Sequence, residues 1–82
     1  MRKIIHTQVK MEGNEIRMIV TAHVATLYRS IEATATRRLK SDRSILSYWA
    51  EKGKPHITKH GIVQSEETNI EGYKNFHCLF TL

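Results

Sequence analysis

Cysteine is nearly absent. Cys78 is the only one in 82 residues, so no internal disulfide can form and no thiolate cluster can hold zinc. That usage fits a reducing cytoplasm. Long apolar runs are missing too: no stretch approaches the roughly 20 apolar residues that span a bilayer. Met1-Arg2-Lys3-Ile4-Ile5-His6 has the charge of a signal peptide but no apolar run behind it, so the chain is expected to stay in the cytoplasm, away from membranes. The four glycines stand singly, which leaves no loop to cradle a phosphate. Repeats, low-complexity runs and linker-like stretches are also absent.

What is present is the composition of a folded protein, 40% hydrophobic and 26% charged, which argues against a disordered tail. A chain this short makes one compact domain over residues 1–82 and buries only a little over roughly 60% of its unfolded surface. The net charge of +5 is unevenly spread. From Arg37 to Lys59, seven positives (Arg37, Arg38, Lys40, Arg43, Lys52, Lys54 and Lys59) oppose Asp42 and Glu51, which leaves +5 in that stretch alone. The residues after Lys59 carry Glu66, Glu67 and Glu71 against Lys74, a net −2. A basic middle of this kind suggests an anionic partner.

Hydrophobic periodicity places the elements. Residues 3–11 alternate, with Ile5, Thr7, Val9 and Met11 on one face and Ile4, His6, Gln8 and Lys10 on the other. Glu12-Gly13-Asn14 is a turn signal, and Ile16, Met18 and Val20 alternate after it, so 3–21 reads as a β-hairpin. The period then changes. Val24, Leu27, Tyr28, Ile31, Ala35 and Leu39 form a helical stripe with Thr21 as its expected cap, and Arg29, Ala33, Arg37 and Lys40 fall on the opposite, solvated side. Asp42 is the expected N-cap of a second helix with Ile45, Leu46 and Trp49 on its apolar side, Lys52 in its last turn and Gly53 just beyond. Lys54-Pro55 forces extended chain, and residues 56–64 form a strand in which Gly61 hints at a bulge. Ser65 to Asn69 reads as a polar loop. A final strand puts Phe76, Cys78, Phe80 and Leu82 on one face and His77, Leu79 and Thr81 on the other. The expectation is a small α+β domain in ββααββ order, a mostly antiparallel sheet with two helices packed on one face.

The basic centre is the strongest candidate site. Arg29, Arg37, Arg38, Lys40 and Arg43 along the helical pair, with Lys52, Lys54 and Lys59 nearby, are the residue types that neutralise phosphates. The competing reading is a solvated face that keeps a small protein soluble. A helix-turn-helix is a poor match, because the joining turn is only Ser41-Asp42 and lacks glycine. The run Glu15-Ile16-Arg17-Met18-Ile19-Val20-Thr21, the first helix and Ser41-Asp42-Arg43-Ser44 loosely resemble ribbon–helix–helix proteins, which dimerise through that strand. The preceding strand and the two final strands depart from that family, and none of its residues is carried over.

Metal, cofactor and catalytic signals are weak. His56 and His60 are four apart, but on a strand that separates them by about 13 Å, too far for one ion. His77 and Cys78, being adjacent, point to opposite faces of a strand. Cys78 could pair with a histidine as nucleophile and base, yet its place in the apolar alternation implies burial, where a thiol is inert. Of the aromatics, Tyr28, Trp49, Phe76 and Phe80 fall on core faces, leaving Tyr48 and Tyr73 as exposed platforms for bases.

The expected function is therefore a small non-enzymatic nucleic-acid-binding or regulatory protein without cofactor. The alternative is a modulator of an acidic protein partner, an inhibitor or adaptor of the kind phages encode, acting through a sheet edge, the acidic 66–71 stretch or the basic face. A homodimer is compatible with both.

Overall fold

The computed structural model describes residues 3–52 and 57–81, with Lys52 described for its backbone only. The elements run β1 (Ile4–Glu12), β2 (Glu15–His23), α1 (Tyr28–Ser41), α2 (Arg43–Lys52), β3 (Thr58–Glu67) and β4 (Tyr73–Thr81). The four strands form one antiparallel sheet in the order β1-β2-β4-β3. The two central strands supply the core: Ile16, Met18, Val20 and Ala22 from β2, and Phe76, Cys78 and Phe80 from β4. These side chains alternate onto a single face, where Ile31, Ala35 and Leu39 of α1 and Ile45 and Trp49 of α2 meet them. Both helices thus cover one face of the sheet, in the ββααββ order the periodicity implies. Among the described residues, no helix covers the other face.

The β1–β2 hairpin closes on Glu12 opposite Glu15. Gly13, at φ 59°, takes the first central position of the turn and Asn14 keeps a negative φ, the pattern of a type II′ turn whose twist suits the flanking strands. Only the glycine uses the conformation that both residues tolerate. β1 departs from strict alternation at its start. A bulge between Ile4 and His6 lets Ile4 pack against the core and turns Ile5 outward, while Thr7 and Val9 keep the helix-side positions.

α1 begins later than its apolar stripe suggests. Thr21 does not cap it. β2 runs on to His23 so that Thr21, Ala22 and His23 pair with Asn75, Lys74 and Tyr73, and Thr21 Oγ1 donates to Asn75 Oδ1 at 2.5 Å. Ladder bonds to β4 outweigh a helical start among β-branched residues. Val24, Leu27 and Tyr28 consequently lie outside the core, Tyr28 at 63% exposure with its ring centroid 5.9 Å from that of Phe76 in an edge-on arrangement.

Asp42 is the single residue between the helices. Its backbone N–H donates to Arg38 O at 2.9 Å, closing α1, while its Oδ1 accepts from the N–H groups of Ser44 at 2.9 Å and Ile45 at 3.2 Å, opening α2. β3 then bears two register shifts, between Lys59 and Gly61 and between Ile62 and Gln64. Gly61 sits at φ 86° in the first, where a side chain would meet the Glu32 carboxylate. β3 reaches Glu67, so the polar loop expected at 65–69 shrinks to a turn at 68–72, held by Thr68 Oγ1 donating to the carbonyls of Ile70 and Tyr73. Gly53, Lys54, Pro55, His56 and Leu82, assigned roles from the sequence, lie outside the described residues.

Candidate nucleic-acid interface

The exposed side of α1 follows from its buried side. Ile31, Ala35 and Leu39 recur every four residues against the sheet. At 3.6 residues per turn, Arg29, Ala33, Arg37 and Lys40 must then face outward, and all four are exposed. Arg29 and Lys40 are about 16 Å apart along the axis at the helical rise. Arg43, the first residue of α2, continues the exposed basic row past Asp42. Arg37 Nη2 donates to Thr34 Oγ1 at 3.2 Å, a contact within the helix surface.

The other basic candidates divide. Arg38 is half-buried and structural: its Nε donates to Asp42 Oδ2 at 3.0 Å, and its Nη1 donates to the Thr7 carbonyl at 3.0 Å and to the Thr7 hydroxyl. It ties α1 to β1. The Arg38 guanidinium and the α2 amides together hold the Asp42 carboxyl below its usual value. Lys59 lies 3.6 Å from Glu32, so its charge is locally matched. The Lys52 side chain and Lys54 lie outside the described residues.

The acids are largely spoken for. Glu12, Glu32, Asp42, Glu66 and Glu67 each lie within 4 Å of a basic group. Among the described residues, Arg29, Arg37, Lys40 and Arg43 have no such partner, and neither do Lys3 and Arg17, which lie outside the helices. Four of these six unmatched cations therefore share one helix face and its exit.

A second polar cluster occupies the face of the sheet that no described helix covers, a grouping hidden in the sequence because Ser65 to Asn69 reads there as a loop. Arg17 Nη1 lies 3.5 Å from both Gln64 Oε1 and His77 Nδ1, and His77 Nε2 lies 2.9 Å from Glu66 Oε1. The His77 ring holds the Glu66 carboxyl below its usual value. The alternation of Gln64 and Glu66 was the available signal, masked by reading Glu66 as loop. Cys78 points the other way. Burial among the core side chains, with Glu32 near enough to add repulsion, pushes its thiol up to about 11. It is not paired with His77 as a nucleophile with a base.

Among the described residues no group of three or more His, Cys, Asp or Glu stands close enough to hold a metal ion. None of their helices is long and apolar enough to cross a membrane. The exposed-platform reading of Tyr48 and Tyr73 is also revised. Both are half-buried, the Tyr48 hydroxyl donating to the Gly13 carbonyl and the Tyr73 ring standing edge-on to His23 at 5.3 Å. The ribbon–helix–helix likeness fails on pairing, because β2 has β1 on one side and β4 on the other and has no free edge to offer a second copy. No protein-family model matches the chain, nor does any curated protein or any solved structure.

Proposed function

We propose that this chain is a small, non-enzymatic nucleic-acid-binding or regulatory protein that sets the outer face of α1 on phosphates. One observation carries the reading: Arg29, Arg37, Lys40 and Arg43 are exposed and unmatched by acids among the described residues. Unpaired cations in a row exchange condensed counterions for protein contact, which gives affinity without sequence preference. Four phosphate contacts on a duplex imply a slope of about −3.6 in log affinity against log salt, hence a fall of about 150-fold between roughly 50 and 200 mM salt.

Fluorescence titration with duplex and single-stranded DNA and RNA at those two salt concentrations tests this. Binding with that salt dependence, abolished by Arg37→Glu with Lys40→Glu, supports the reading. The double variant is expected to keep its stability within about 0.5 kcal/mol, since both side chains are exposed. No binding at the lower salt sinks it.

A second reading, a modulator of an acidic protein partner, is favoured by a separate feature. Val24, Leu27, Tyr28 and Ile70 are exposed apolar residues at the end of the sheet where α1 begins, and Val24 N–H donates to Gly72 O at 2.9 Å to hold the two turns together. An apolar patch beside a basic row fits an acidic protein surface with an apolar anchor.

A further inference from the structure

We propose that two copies of this chain pair β1 against β1 about a two-fold axis at Val9, joining their sheets into one of eight strands. The proposal concerns a different surface from the basic face and does not rest on the nucleic-acid reading.

The argument begins at the hairpin. A two-residue turn makes its flanking pair, Glu12 and Glu15, a hydrogen-bonded pair, and such pairs alternate with non-bonded ones along an antiparallel ladder. Lys10 with Arg17, Gln8 with Ile19 and His6 with Thr21 are then bonded pairs. Met11, Val9 and Thr7 are the others, so their N–H and C=O groups point away from the sheet. The guanidinium of Arg38 on the Thr7 carbonyl agrees with that direction. The outward groups of Val9 and Met11 have no hydrogen-bond partner among the described residues.

The two sheet edges differ. β3 is broken by two bulges, one of them at Gly61 with φ 86°, and it carries Lys59, Glu66 and Glu67. Charge does not separate the edges, since β1 carries Lys10 and Glu12, but bulges are a device by which edges avoid pairing. β1 runs without a register shift from His6 to Glu12, which leaves it the regular edge.

Charge selects the occupant and the register. Reciprocal bonding needs an outward residue opposite an outward residue, so Thr7, Val9 and Met11 must face one another. With the axis at Val9, Val9 opposes its own copy, Thr7 opposes Met11, Gln8 opposes Lys10, and Glu12 opposes His6. No like charges meet, and each Glu12 carboxylate faces an imidazole. Moving the axis to Lys10 sets two ammonium groups against each other. Moving it to Gln8 runs the Ile4–His6 bulge against Met11 and Glu12. Of the registers that oppose outward residues, the Val9 one pairs the longest unbulged run without setting like charges together, and the Thr7 carbonyl that accepts from Arg38 has a second lone pair for the Met11 N–H. The axis is perpendicular to the sheet, so all four helices lie on one side. Val9 and Met11, apolar residues at the rim, gain cover from the second copy.

Sedimentation equilibrium of the full chain up to roughly 0.5 mM tests the pairing. The expected result is a monomer–dimer equilibrium that salt leaves unchanged or strengthens, because each copy carries +5. Val9→Pro removes an outward N–H that no β1–β2 bond uses, and is expected to weaken the dimer at least tenfold while circular dichroism stays unchanged. Val9→Cys reads the register directly. A bonded pair sets its Cα atoms about 5.5 Å apart, inside the disulfide range, so oxidised glutathione should convert this variant to a covalent dimer while Val63→Cys on the β3 edge stays monomeric. A chain that sediments as a monomer throughout overturns the proposal. So does a dimer that a folded Val9→Pro leaves intact, or one that cross-links at Val63 and not at Val9. If Val9→Pro does not fold, the cross-linking pair decides alone.

Discussion

Asp42 carries more of the helical architecture than any other single polar residue, and replacing it gives a sharp test. Its Oδ1 caps α2 through Ser44 and Ile45, and its Oδ2 holds Arg38 at 3.0 Å. Removing an N-cap costs about 1 kcal/mol. Losing a partly exposed ion pair adds about 0.5 kcal/mol. Asp42→Ala should therefore destabilise by about 1.5 kcal/mol. An 82-residue chain unfolds with an entropy of about 170 cal/mol/K, so its Tm should fall by about 9 °C. Asp42→Asn keeps a good capping oxygen and loses only the charge, so it should cost about 0.5 kcal/mol and about 3 °C. Thermal melts followed by circular dichroism at pH 7 measure both. The sign of the pH dependence is fixed as well. The Asp42 carboxyl lies below its ordinary 3.8 in the folded chain, so its stabilisation is complete above that unfolded value and is lost as pH falls through the lower folded one. The gap between wild type and Asp42→Asn should accordingly shrink below pH 3.8 and close in stronger acid. Equal losses in the two variants at pH 7 would assign the effect to charge and refute the cap. Losses within about 2 °C in both would refute the shared role altogether.

Three other outcomes follow from burial and backbone. Ile31→Ala should cost about 2–5 kcal/mol in urea denaturation because Ile31 is fully buried, whereas Tyr28→Ala, three residues earlier on the same apolar stripe, should cost under about 1 kcal/mol. Gly61→Ala should cost about 1–2 kcal/mol, chiefly through its positive φ, and should exceed Gly13→Ala, where φ is also positive and nothing lies within 4 Å, only by the small cost of moving the Glu32 carboxylate off Lys59. Comparative melts decide between them. Cys78, with its thiol pushed up to about 11, should react with iodoacetamide at pH 8 at least about 100-fold more slowly than a free cysteine, and urea should restore the rate. Rapid stoichiometric labelling of the folded chain would contradict its burial.

The element order was legible because the signals were local. Gly13-Asn14 between alternating runs marks the first hairpin, and Asp42 before Ile45 marks the second helix, each through side chains within a few residues. Two of the errors share one cause, which is pairing between distant strands. Thr21 reads as a helix cap because nothing nearby shows that Asn75, Lys74 and Tyr73 will extend β2 to His23. Glu66 and Glu67 read as loop because their charge outweighs their alternation, yet Asn75 and Lys74 on β4 draw both into β3. Strict alternation puts Ile5 on one face with Thr7 and Val9, but a bulge that leaves no local mark turns Ile5 outward and brings Ile4 to that side instead. The basic row was legible in part. Its helical spacing was visible, but the difference between Arg37 and Arg38 was not, since Arg38 is taken up by Thr7, thirty-one residues away.

That difference decides which cations can serve as probes. Arg37 and Arg38 are neighbours of the same charge in one helix, and a count of basic residues treats them alike. Reversing Arg38 would break its bonds to Asp42 and Thr7 together, releasing β1 from α1 and weakening the start of α2. Any loss of binding in Arg38→Glu would then be inseparable from a loss of fold. Lys59 has a milder version of the same problem, because its reversal sets a carboxylate beside Glu32. Arg29, Arg37, Lys40 and Arg43 carry no such burden. The face of α1 that the sheet does not need is also the face whose charge is unmatched, so a partner can be gained or lost there at little cost to the core. In a chain this small, with a thin margin of stability, that separation lets an interaction surface change while the fold persists.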